Sequence, residues 1–68
     1  MGDEINLRFT YHAPSESQVQ QYSEIRGHAK NMARVIDSEC PESREKALAL
    51  TKLEESVMWA NAAIARRS

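Results

Sequence analysis

Arg26, Lys30 and Arg34 stand four residues apart, so on a helix they line one edge, and neither Arg26 nor Lys30 has an acidic residue three or four positions away. Like charges at that spacing cost a helix about 0.2–0.5 kcal/mol, a cost that an anionic ligand or partner reverses and that a solvated edge leaves in place. Tyr11 and Phe9 are the residues suited to stack on a planar base, an interaction worth ~1–3 kcal/mol. The alternative is that the two rings cover the end of a helix pair. His12 could donate to a phosphate or a base edge, or stand in solvent. Arg66 and Arg67 complement the negative end of a helix, and copies of the pair meeting on a symmetry axis would make a second anion site. No hydroxyl or thiol has an evident base and orienting acid, no residues have metal-ligand spacing, and no glycine-rich loop could cradle a phosphate. A binding protein without catalytic residues, metal or cofactor is expected. Cys40, beside Pro41, reads as a structural or incidental thiol.

The elements that must position these groups are legible as three segments. Leu7, Phe9 and Tyr11 alternate with Arg8, Thr10 and His12, which predicts a short extended arm over 5–14, closed by Pro14. Ser15 and Gln18 have capping-box spacing and start helix one, predicted over 15–38. Tyr22, Ile25, Ala29, Met32 and Ile36 form its apolar stripe. Gly27 interrupts this helix at a cost of roughly 0.5–1 kcal/mol relative to alanine, which points to close backbone packing or to space for a ligand. Pro41 suits the first position of helix two, predicted over 41–66, with Glu42 and Glu45 at its positive end. Leu50, Leu53, Val57, Ala60 and Ile64 alternate steps of three and four, the seam of a helix packed antiparallel on its neighbour. The fold class is therefore all-α, a two-helix hairpin.

At 68 residues the chain is a single domain over 1–68, and its 41% hydrophobic content supports only a thin core. Ala47, Leu48, Met58, Trp59, Ala62, Ala63 and Ala65 lie outside the seam, so a homo-oligomer is predicted, with Trp59 as the largest anchor. A net charge of −1 excludes broad attraction to DNA, RNA or a membrane surface and confines any anion site to a local cluster. The lone cysteine, the acidic first residues where a signal peptide needs basic ones, and the lack of a long apolar run predict a cytoplasmic protein.

The segment FTYHAP, then Tyr22, Ile25-Arg26 and Ala29, then the run CPESREKALALTKLEESVMWANAAIARR resemble the hairpin family of phage anti-CBASS sponges, whose domain is shared with anti-Thoeris sponges. The resemblance covers nearly the whole chain. It implies a homohexamer that holds cyclic dinucleotides such as cyclic GMP-AMP, intact, between paired protomers in the infected host. It also implies that Tyr11 stacks on the base and Arg26 meets the phosphates, with arginine standing where the best-known pattern has lysine. Phe9, His12 and Lys30 complete that expected site. Some members bind cyclic trinucleotides at a threefold axis, and Arg67, with Arg66 as its substitute, and His28 are the corresponding candidates. The rival expectations are an anti-Thoeris sponge for a cyclic ADP-ribose derivative and a helical adaptor whose Arg26 edge meets an acidic partner.

Overall fold

A computed structural model describes residues 2–9 and 13–67 as three helices: α1, Gly2–Phe9; α2, Glu16–Glu39; and α3, Arg44–Arg67. Among the described residues there is no strand. The extended arm expected over 5–14 is therefore corrected over residues 5–9, which belong to α1, while residues 10–12 lie outside the described residues. The alternation of Leu7 and Phe9 competes with a four-residue repeat that local physics favours: Glu4 and Arg8 form an ion pair at 3.3 Å one turn apart, and Arg8 lies in the last turn, where the helix dipole favours a cation.

The start of α2 follows from its cap. The Ser15 backbone is extended (φ −73°, ψ 166°), its hydroxyl accepts from the Gln18 N–H at 3.1 Å, and its own N–H donates to Gln18 Oε1 at 2.9 Å. Each side chain thus satisfies a backbone donor that the first turn leaves unpaired. At the far end the Cys40 N–H donates to the Ile36 carbonyl at 3.0 Å, and Cys40 turns extended (φ −101°, ψ 134°), as the residue before a proline must.

Helix α3 begins three residues later than Pro41. The reason is Ser43, whose Oγ accepts from the Lys46 N–H at 3.1 Å and donates to the Pro41 carbonyl at 3.0 Å, so serine is the cap and Pro41 belongs to the turn.

Helices α2 and α3 pack as an antiparallel hairpin tied at both ends. At the open end Gln18 Nε2 donates to the Ile64 carbonyl at 3.2 Å. At the turn, Lys46 reaches back across residues 40–43. Its Nζ donates to the Asp37 carbonyl at 3.0 Å, lies 3.1 Å from Asp37 Oδ1 and bonds Glu42 Oε1. Lys46 is 7% exposed, and it is the only residue buried among those described. Its hydrogen bonds to Glu42 and to Asp37 hold its pKa above the usual lysine value.

The seam on α3 is as expected, with Leu50, Leu53, Val57, Ala60 and Ile64 all half-buried. On α2 the inward set is Gln18, Tyr22, Ile25, Ala29, Ala33 and Ile36; Ala33 takes the place expected for Met32, which is exposed. The molecule measures 46 × 28 × 13 Å. A single layer of two helices has no interior, and no hydrophobic side chain is fully buried among the described residues.

Candidate functional site

The hairpin carries a groove of about 480 Å³ midway along one face, between α2 and α3. Its floor is apolar: Ala29 and Ala33 leave room on the α2 side, and Leu50, Leu53, Val57 and Met58 form the α3 side. Its rim carries Arg26 and Lys30 from α2 and Glu54 from α3. This space is within the ~300–1,000 Å³ range of small-ligand sites.

The two rim cations are one helical turn apart and exposed, and neither makes an ion pair or hydrogen bond among the described residues. Two positive charges held beside apolar carbon attract anions more strongly than the same charges ringed by water, because the low-dielectric wall screens them less. The arrangement can therefore hold a phosphorylated, partly apolar molecule against the hairpin face.

A second, shallower depression of about 430 Å³ lies on the outer side of α2, lined by Glu24, Gly27, His28, Lys30, Asn31 and Arg34. Lys30 borders both concavities. A Cβ added at Gly27 would meet nothing within 4 Å, so nothing in the protomer requires the glycine. Arg34, expected on the same edge as Arg26, turns toward this outer depression because four residues advance a helix slightly more than one turn.

The remaining candidates lie apart. Phe9, at the end of α1, is 82% exposed and does not line the groove. Arg66 and Arg67 occupy the last turn of α3 and are exposed. Because Gln18 faces Ile64, His28 and Arg67 are displaced in opposite directions from that level, so roughly 20 Å of hairpin separates them at 1.5 Å per residue. One protomer does not bring them together. Tyr11 and His12 lie outside the described residues.

Glu54, Met58 and Asn61 were not singled out from sequence as site residues. Glu54 and Met58 each follow a seam residue by one position, which swings them onto the groove side. Asn61 falls four residues after Val57, a polar residue at a seam spacing, and its Oδ1 is shielded with no hydrogen-bond partner among the described residues. No group of three His, Cys, Asp or Glu side chains among the described residues is arranged to hold a metal ion. No described helix is long and apolar enough to cross a membrane.

A comparison with known families matches residues 1–65 to the Acb2/Tad1 hairpin domain, a span that takes in α1, α2 and all but the last two residues of α3. The chain belongs to the Acb2/Tad1 hairpin family. This is the family of anti-CBASS and anti-Thoeris sponge proteins, phage anti-defence proteins that act in the host cell. Membership implies sponge-like binding of cyclic nucleotide signals, and Acb2/Tad1 sponges act by binding rather than by catalysis. No curated protein and no solved structure matches the chain. The two packed helices are the hairpin for which the domain is named.

Proposed function

We propose that this chain sequesters cyclic dinucleotides such as cyclic GMP-AMP, uncleaved, in the host cytoplasm, and so blocks CBASS immunity. The observation that carries this reading is the pair Arg26 and Lys30, two cations without partners among the described residues, set one turn apart on the rim of an apolar groove. A cyclic dinucleotide presents two phosphates and two flat bases, which calls for cations and aromatic faces together. Arg26 meets a phosphate with its planar, bidentate fork and Lys30 supplies a second positive charge. Tyr11 stacks on a base, with Phe9 and His12 beside it. The working form is a homo-oligomer, a hexamer by analogy with the family. Arg67, Arg66 and His28 come together only from different copies of the chain, where they would receive a cyclic trinucleotide.

The test is retention. Purified protein is mixed with cyclic GMP-AMP, freed of unbound ligand by ultrafiltration, denatured, and the released material identified by chromatography. Intact cyclic GMP-AMP is the expected result. Linear products would make the protein an enzyme. No retained nucleotide would overturn the dinucleotide assignment, and retention of a cyclic ADP-ribose derivative instead would move the chain to the anti-Thoeris side of its family.

A further inference from the structure

The rim of the groove holds one charge of the wrong sign for an anion site. Glu54 is exposed on α3, on the same groove as Arg26 and Lys30 of α2, and it pairs with neither of them nor with any other described residue. Its own helix offers no partner, since Leu50, Thr51, Val57 and Met58 stand three and four residues away. Carboxylates elsewhere close on a cation: Asp37 and Glu42 hold Lys46, Glu55 meets Lys52, and Glu4 meets Arg8. The rim instead keeps its opposite charges apart and its apolar floor open.

A carboxylate in that place weakens the pull of the two cations on every anion, but not equally, because its repulsion grows with the charge of the ligand. A phosphate in diester linkage carries one negative charge, whereas a terminal phosphate carries ~1.5–2 at neutral pH. A cyclic dinucleotide has diesters only. Its linear, 5′-phosphorylated counterpart has a terminal phosphate, and a nucleoside triphosphate ends in one. We infer that Glu54 sets the specificity of the groove by charge, admitting phosphodiesters and turning away nucleotides with a terminal phosphate. Selectivity of this kind comes from repulsion of the wrong ligand as much as from attraction for the right one. The inference rests on the proposed dinucleotide reading and adds to it the class of nucleotide that the site rejects. Across the ~8–10 Å between packed helices, one extra unit charge is worth about three- to tenfold in affinity at low salt.

Competition measures this selectivity. Fluorescent cyclic GMP-AMP bound to the parent protein, to Glu54→Gln and to Glu54→Asp is displaced at low salt by unlabelled cyclic GMP-AMP, by the linear 5′-phosphorylated dinucleotide of the same bases, and by ATP. Glu54→Gln should lower the preference for the cyclic ligand over either competitor by about three- to tenfold. Glu54→Asp, which keeps the charge, should keep the preference. In 1 M salt, where screening acts over ~3 Å, the parent and Glu54→Gln should converge. An unchanged preference in Glu54→Gln would overturn the inference and leave the dinucleotide reading standing; altered sedimentation of that variant would then make Glu54 a contact between copies. An equal loss in Glu54→Asp, or a loss that persists in 1 M salt, would overturn the inference in favour of side-chain shape. Failure of the parent protein to bind cyclic GMP-AMP would overturn the dinucleotide reading itself, and the inference with it.

Discussion

Lys30 and Lys46 carry the same ammonium group on the two long helices of one hairpin, and the fold treats them in opposite ways. Lys46 is buried at the turn, where it bonds the Asp37 carbonyl and both the Asp37 and Glu42 carboxylates. Lys30 is exposed at mid-hairpin, beside Arg26 and an apolar floor, with no ion pair among the described residues. A lysine whose donors are taken up by the protein is a structural tie. One whose donors point at solvent beside a groove is free to meet an anion. The two ends of α2 are thus committed to closing the hairpin, and its middle carries no such tie among the described residues.

Substitutions can break that contrast. The largest effect is expected for Arg26→Ala, which should weaken cyclic dinucleotide binding by ~1.5–3 kcal/mol, about 10- to 150-fold by calorimetry, with little change in thermal midpoint. Unchanged affinity would remove Arg26 from the site. Lys46→Met should do the reverse: the midpoint falls by several degrees, because the Asp37 carbonyl and both carboxylates lose their donor, while the affinity of the folded fraction stays near that of the parent.

The pH dependence sharpens the same comparison. A lysine pKa raised by folding adds stability that is fully present below the unfolded value of about 10.4 and is lost as pH climbs through the higher folded value. Melting curves taken from pH 8 upward should therefore show the parent protein converging on Lys46→Met only in the alkaline range. A constant gap between the two would assign the loss to packing instead. The smallest effect belongs to Gly27→Ala. With nothing within 4 Å of the added Cβ, it should stabilise α2 by ~0.5–1 kcal/mol, raising the midpoint by about 2–8 °C.

What the sequence revealed and what it hid divide along physical lines. The α2 start was legible because a capping box is written entirely in local spacing, Ser15 to Gln18, and the α3 seam was legible because its period lies within one element. Helix α1 was misread because period two in Leu7, Phe9 and Tyr11 overlaps period four in Ile5 and Phe9, and eight residues are too few for one period to dominate. Lys46 gave no sign of burial, since its partner Asp37 lies on the other helix and is brought near only by the path of the turn. Arg26 and Lys30 were found together by their spacing. The groove beside them was not, because the opposing positions of Glu54 and Met58 depend on the register between helices, and so does the choice of Ala33 over Met32 as the inward residue.

The two ties of the hairpin also differ in how much chain they close. The bond from Lys46 to Asp37 joins residues 9 apart, whereas the bond from Gln18 to Ile64 joins residues 46 apart. Loop-closure entropy rises by about 0.6 kcal/mol for each doubling of length, so the second closure costs on the order of 1.4 kcal/mol more than the first. The hairpin should accordingly zip from its turn outward. In stopped-flow experiments, changes at Lys46 should chiefly slow refolding, while Gln18→Glu, which keeps the oxygen that accepts from the Ser15 N–H and loses the donor to Ile64, should chiefly hasten unfolding, because the contact it removes is the last to form.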